Sequence, residues 1–232
     1  MRASWWIGQC LLFPYVWANT EKTIFLGPPP VDIDSTYPAL DHLQVLSLNP
    51  RHFAVRTHLE VESPNNESRH GKVSWFVLHN LTEDQRYEVR VCWAATQPTA
   101  FRLETYELET VFKEPELTAE LSAYAYTLQS NENSHVAIPW QTLEPGMQGS
   151  VLLLRIVAAA DFYTTNHTLM RNAPPILVDI ILDPFILNIL PRSLLPTVIY
   201  IIAVAPVSWF VGRWISSWVR QLATEPTKQK FQ

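Results

Sequence analysis

Three patterns of apolar and polar residues run along this chain, and each predicts a different element. Near the carboxyl end, Ser193 to Gly212 carries no charge. A helix of about 20 apolar residues crosses a hydrocarbon core of roughly 30 Å. Between Leu194 and Val211, ten Leu, Ile, Val and Phe side chains favour insertion. At about 0.3–0.6 kcal/mol apiece they supply roughly 3–6 kcal/mol. Pro206 interrupts the run, and neighbouring helices or local adjustment can satisfy the carbonyl it frees. Arg213 lies near its end, where a long side chain can snorkel to the headgroups. The pattern predicts a transmembrane helix over residues 193–218 and a tail over residues 219–232. A buried core helix is the competing reading, disfavoured by so long a run without charge.

The second pattern is an apolar run from Trp5 to Val16, preceded by Arg2 and ended by Val16-Trp17-Ala18. That is a secretory signal over residues 1–18, cut before Asn19. The run is short for a span and contains Pro14, which disfavours an uncleaved anchor. Cleavage leaves the amino terminus lumenal and the carboxyl terminus cytosolic. Arg213, Arg220, Lys228 and Lys230 follow the span, as the positive-inside rule expects of a cytosolic side.

Between the two runs the apolar residues recur at period two. Tyr87, Val89, Val91 and Trp93 fall on one face, with Glu88, Arg90 and Cys92 on the other, which predicts a half-buried antiparallel strand. Lys22–Leu26, His52–Val61, Val73–Leu78 and Phe101–Phe112 are further strand candidates. Gly146–Ala158 has an apolar run that predicts a strand buried on both faces. Glu116–Leu128 has mixed spacing and fits a helix or a loop. Pro174–Leu182 closes the set, and Asp183–Leu190 is a short apolar segment expected at the membrane surface.

With 6 glycines and 18 prolines, the composition suits short strands and firm turns. Leu81, six residues before Tyr87, resembles the tyrosine-corner spacing of fibronectin type III-like sandwiches. The expected fold is mainly β. A lumenal β-sandwich over residues 19–182 leads through a membrane-proximal segment, residues 183–192, into one carboxyl-terminal span.

Composition removes several function classes. The net charge is −5 with no long basic run, so nucleic acid is not an expected partner. Cys10 leaves with the signal, and Cys92 is then the one cysteine of the mature chain, which excludes an internal disulfide. The 7 histidines are dispersed and give no zinc pattern. Gly146-Met147-Gln148-Gly149-Ser150 lacks the flanking glycines of a nucleophile elbow. Asp32-Ile33-Asp34 follows a proline run and reads as a solvated pair. No catalytic, cofactor or metal residue emerges, and no enzyme is expected.

Other residues carry addresses and contacts. Sequons at Asn66, Asn80 and Asn166 precede the span and are compatible with lumenal glycosylation. Ser208, Gly212 and Ser216 recur every fourth residue, forming a stripe that would let a second helix approach closely in lipid. Trp209, Trp214 and Trp218 favour an interfacial belt. Lys228 and Lys230, fifth and third from the end, resemble a dilysine retrieval signal of endoplasmic-reticulum (ER) membrane proteins.

Asn19–Leu26, Trp75–Leu78, Arg86–Thr99 and Pro191–Leu194, taken with this layout, resemble the fungal accessory subunit family of glycosylphosphatidylinositol (GPI) mannosyltransferase II. The resemblance implies a non-catalytic subunit in the ER membrane, without a cofactor. It would bind and stabilise a multi-span mannosyltransferase catalytic subunit, which adds the second mannose to the GPI precursor. The family's catalytic residues are not in this subunit, so none carries over. Two other readings stay open: a single-pass surface adhesion or receptor module, and an ER chaperone or assembly factor.

Overall fold

The computed structural model describes residues 18–32, 45–63, 71–130 and 148–223. The expected signal lies outside these residues apart from Ala18, and so does the dilysine tail. Strands are numbered in chain order. One sheet is built from β1 (Ala18–Leu26), β6 (Arg86–Ala94), β9 (Ile176–Ile186) and β4 (Ala54–Leu59), all neighbours antiparallel. The short β10 (Leu190–Pro191) folds back onto β9. The second sheet centres on β8 (Gln148–Ala160), paired with β5 (Lys72–Leu81) and with β7 (Thr99–Glu107). The two-residue strands β2 (Val31–Asp32) and β3 (Ser47–Leu48) complete it, β3 running parallel to β5. Two sheets face to face is the expected sandwich.

The alternation read from β6 explains the core. Tyr87, Val89 and Val91 are buried to 1 % exposure or less, and meet Phe76, Leu78, Leu154, Ile156, Val178 and Ile180 between the sheets. At one end of the core Tyr87 forms the predicted corner. Its hydroxyl accepts a hydrogen bond from Thr82 N at 2.9 Å and donates to Gln85 Oε1 at 3.0 Å. Gly27 packs against this corner so closely that a Cβ there would lie 2.1 Å from Thr82 O.

β8 is buried on both faces because the second sheet has a third layer. Leu152, Leu154 and Ile156 point into the sandwich, while Val151 and Leu153 join Trp75 and Val77 under two helices. These are α1 (Leu108–Lys113) and α2 (Pro115–Ser130). Proline at the first position of α2 has no amide to waste and a preset φ. Leu117, Leu121, Tyr124, Ala125 and Leu128 then recur at helical spacing against the sheet. Tyr124 shares a hydrogen bond with Ser74 there, and burial pushes its hydroxyl up to about 12.

Of the boundaries that differ from the sequence reading, two change which layer a residue joins. The strand expected over Phe101–Phe112 stops at Glu107, because Leu108 and Val111, three apart, bury together in the helical layer. Strand β9 does not stop at Leu182 but runs to Ile186, which puts Asp183 and Pro184 inside the sheet. It lies between β6 and β4 as an interior strand. Beyond it, Leu187 and Asn188 make a tight turn with φ of 52° and 58°.

A 3-10 turn, Arg192–Leu194, then opens α4 (Leu195–Ala223), after the small helix α3 (His167–Arg171) earlier in the chain. At 1.5 Å per residue α4 is about 43 Å long, enough for a bilayer with its headgroup layers. Its apolar window has a mean hydropathy of 2.1, and none of that window is buried. It is long and apolar enough to cross a membrane.

Candidate functional site

The outer face of the first sheet is where the structure departs most from a simple polar surface. Lys22 lies opposite Arg90, and Glu88 opposite Asp183, across three adjacent strands. Lys22 Nζ reaches Glu88 Oε2 at 3.0 Å. Arg90 Nη2 donates to Asp183 Oδ2 at 2.8 Å and to Ser193 Oγ at 2.8 Å. Ser193 N in turn donates to both Asp183 oxygens at 3.2 Å. Since Ser193 sits in the turn before α4, this network ties the sheet to the start of the apolar helix.

Glu88 and Asp183 are 4 % and 5 % exposed, so these carboxylates are buried rather than solvated. Buried carboxylates require paired charge and hydrogen bonds, and the arrangement supplies them. Farther along the same face, Arg56 grips Asp179 with two bonds of 2.6 and 2.8 Å. Those bonds hold the Asp179 carboxyl below its ordinary value. Cys92 is half-buried and free, its sulfur accepting from Thr20 Oγ1 at 3.5 Å.

Beside Asp183 a cavity of about 670 Å³ opens between the loop at Arg51 and Phe53 and the turn at Arg192 and Ser193, with Pro184 also in its wall. Asn49 builds that loop: its side-chain oxygen accepts from the amides of Arg51 and His52 at 2.8 and 2.7 Å. Its amide nitrogen lies 3.2 Å from His79 Nε2. Burial, with a smaller contribution from His52, holds the His79 imidazole below its ordinary value.

The residues singled out in the sequence do not gather at this junction. Asn66 lies outside the described residues, as do Lys228 and Lys230. Asn80 is exposed at φ 56°, where the pairing of β5 with β8 shifts register. Asn166 is exposed, and its side chain caps α3 by accepting from Thr168 N and Leu169 N. Ser208, Gly212 and Ser216 are all exposed along α4, and nothing lies within 4 Å of a Cβ built on Gly212. Among the described residues, no group of three or more His, Cys, Asp or Glu could hold a metal ion. The junction itself had a sequence signal: charges facing outward on the most regular strand, and an aspartate closing an apolar one.

Fold and junction together define a β-sandwich protein tied by buried ion pairs to one helix able to span a bilayer. Residues 10–126 match the model of the Pga1 family, the GPI-mannosyltransferase II co-activators, and the chain belongs to that family. The match runs from ahead of β1 into α2 and contains three of the four stretches that carried the resemblance; Pro191–Leu194 lies beyond it. No curated protein and no solved structure matches the chain. A co-activator is an accessory to an enzyme, and GPI biosynthesis points to the ER membrane.

Proposed function

We propose that this chain is the non-catalytic subunit that binds and stabilises a multi-span mannosyltransferase of the ER membrane, the enzyme adding the second mannose to the GPI precursor. Membership of the co-activator family carries this reading. Two features support it. The apolar window of α4 has no residue buried against its own domain, so its whole surface is free for lipid and a partner helix. Ser208, Gly212 and Ser216 offer that partner a face where backbones can approach.

The sandwich is lumenal in this reading and the tail after α4 cytosolic, which exposes Lys228 and Lys230 to retrieval receptors and Asn66, Asn80 and Asn166 to glycosylation. Its partners are the enzyme and the bilayer; it takes no cofactor and no nucleic acid. Depleting the chain and identifying the lipid intermediate tests the proposal. A precursor with a single mannose on its core is the expected product. An unchanged precursor pool, or recovery of the tagged chain from membranes without a multi-span glycosyltransferase, would overturn it. A surface adhesion or receptor module has the same layout and would instead stain at the plasma membrane. An ER chaperone or assembly factor would, when lost, impair several clients.

A further inference from the structure

The cavity beside Asp183 has a charge imbalance that its own residues do not resolve. Arg51 and Arg192 both line it, and neither side chain meets a carboxylate among the described residues. Asp183 is the acidic residue among those lining the cavity, and its oxygens are already taken by Arg90 and Ser193 N. The cavity therefore presents two uncompensated guanidinium groups. Ser193 Oγ, which accepts from Arg90 at 2.8 Å, still has its own proton to donate. The rest of the wall is apolar, including Phe53, Ile181 and Pro184.

The position of the cavity narrows the occupant. Arg192 and Ser193 precede the first residue of α4 by three positions or fewer. Three residues reach at most about 10 Å, so they lie at headgroup depth whichever way the helix leaves the domain. A volume of about 670 Å³ falls within the range of about 300–1,000 Å³ that holds a small polar group with its apolar flank. Guanidinium forks match phosphate oxygens bidentately, and the one carboxylate in this wall, Asp183, is already bonded to Arg90 and Ser193.

We propose that this cavity binds the headgroup phosphate of an anionic phospholipid, with Arg51 and Arg192 on the phosphate oxygens and Phe53 and Pro184 along the glycerol end. The site rests on the reading of α4 as a membrane span. It goes beyond that reading by giving the junction a ligand: the cavity that would select the lipid opens beside the Arg90–Asp183–Ser193 network that fastens the sheet to the helix.

The test uses the full chain in nanodiscs of phosphatidylcholine alone and of an equal mixture with phosphatidylinositol, followed by hydrogen exchange at residues 51–53 and 192–193. Slower exchange in the mixed discs is expected. Titrating phosphatidylinositol, the double variant R51Q/R192Q should shift the midpoint about thirtyfold, as two basic groups at an anionic surface imply. The R51K/R192K variant should keep part of the effect, and Arg171→Gln, away from the cavity, should change nothing. Equal protection in both lipids, or protection that survives R51Q/R192Q, overturns the site. So does inorganic phosphate reproducing the protection in phosphatidylcholine discs. A chain that does not insert into discs at all sinks the membrane reading and the site with it, whereas insertion without lipid preference sinks the site alone.

Discussion

Arg90 Nη2 stands 2.8 Å from Asp183 Oδ2, and Glu88 Oε1 lies 3.7 Å from the other side of the same guanidinium. Arg90 is thus the shared counterion of two buried carboxylates. Glu88 has a second cation in Lys22, but that lysine is mostly exposed and can leave for water.

This asymmetry sets the first prediction. Arg90→Met should strand the buried Asp183 carboxylate, leave Glu88 to the exposed Lys22, and cost about 3 kcal/mol, the lower end for a broken buried pair because Arg90 is not fully enclosed. Lys22→Met removes a solvent-facing partner and should stay within about 1 kcal/mol. Urea unfolding of the full chain in detergent, followed by tryptophan fluorescence, measures both. Equal losses would mean that the junction is held by packing rather than by Arg90.

The corner below it gives a second test. Tyr87→Phe leaves Thr82 N without the oxygen it bonds at 2.9 Å. Thr82 is exposed and water can replace the lost acceptor, so a loss of about 0.5–1.5 kcal/mol, that of an ordinary hydrogen bond, is expected. Gly27→Ala should cost more, since its Cβ would overlap Thr82 O at 2.1 Å and the obstacle is backbone rather than a flexible side chain. A denaturation midpoint for Gly27→Ala equal to the unsubstituted chain's would refute the close packing.

What could be read from sequence follows from range. Period two in Tyr87–Trp93 and the uncharged run before Gly212 are local patterns, and each maps onto an element of the structure. The double burial of β8 was legible because a continuous apolar run has no other stable place in a sheet. Leu108–Phe112 was misread as strand because its alternation gives way to helical spacing over a single turn, too briefly for periodicity to register. The junction was legible only as separate outward charges and not as a network: Arg90 and Asp183 are far apart in sequence, and the pairing of β6 with β9 brings them together. Arg51, Arg192 and their cavity are likewise products of topology.

Acid should weaken this domain in a defined window. His79 is 6 % exposed and its ring is held below the ordinary 6.5, so the unfolded chain binds a proton more readily than the folded one. Stability then rises with pH across that interval: it is complete above about 6.5 and falls as pH drops through the folded value. Unfolding midpoints should decline from pH 7.5 to pH 5, and His79→Gln should flatten the decline. Asp179, depressed by Arg56, acts in the same direction below 3.8, where its ion pair is lost. A slope unchanged in His79→Gln would assign the acid sensitivity to other groups.

The stripe on α4 yields the last prediction, and it separates anchoring from recognition. Ser208, Gly212 and Ser216 are spaced four apart, so they share one face of the helix; all three are exposed, and nothing among the described residues lies within 4 Å of a Cβ built on Gly212. Leucine at all three positions makes the helix more apolar, so insertion is preserved or improved. The same change fills the small-residue face where a partner backbone could come close, and should lower recovery of the mannosyltransferase about tenfold or more. Leucines placed at Val207, Val211 and Ile215, one residue round the helix, should leave recovery unchanged. Alkaline extraction of membranes checks insertion in both sets, and co-purification checks the partner. If the two sets behave alike, α4 only anchors, and the partner must be held by the sandwich, where the surface around Arg90 and Asp183 is the next to substitute.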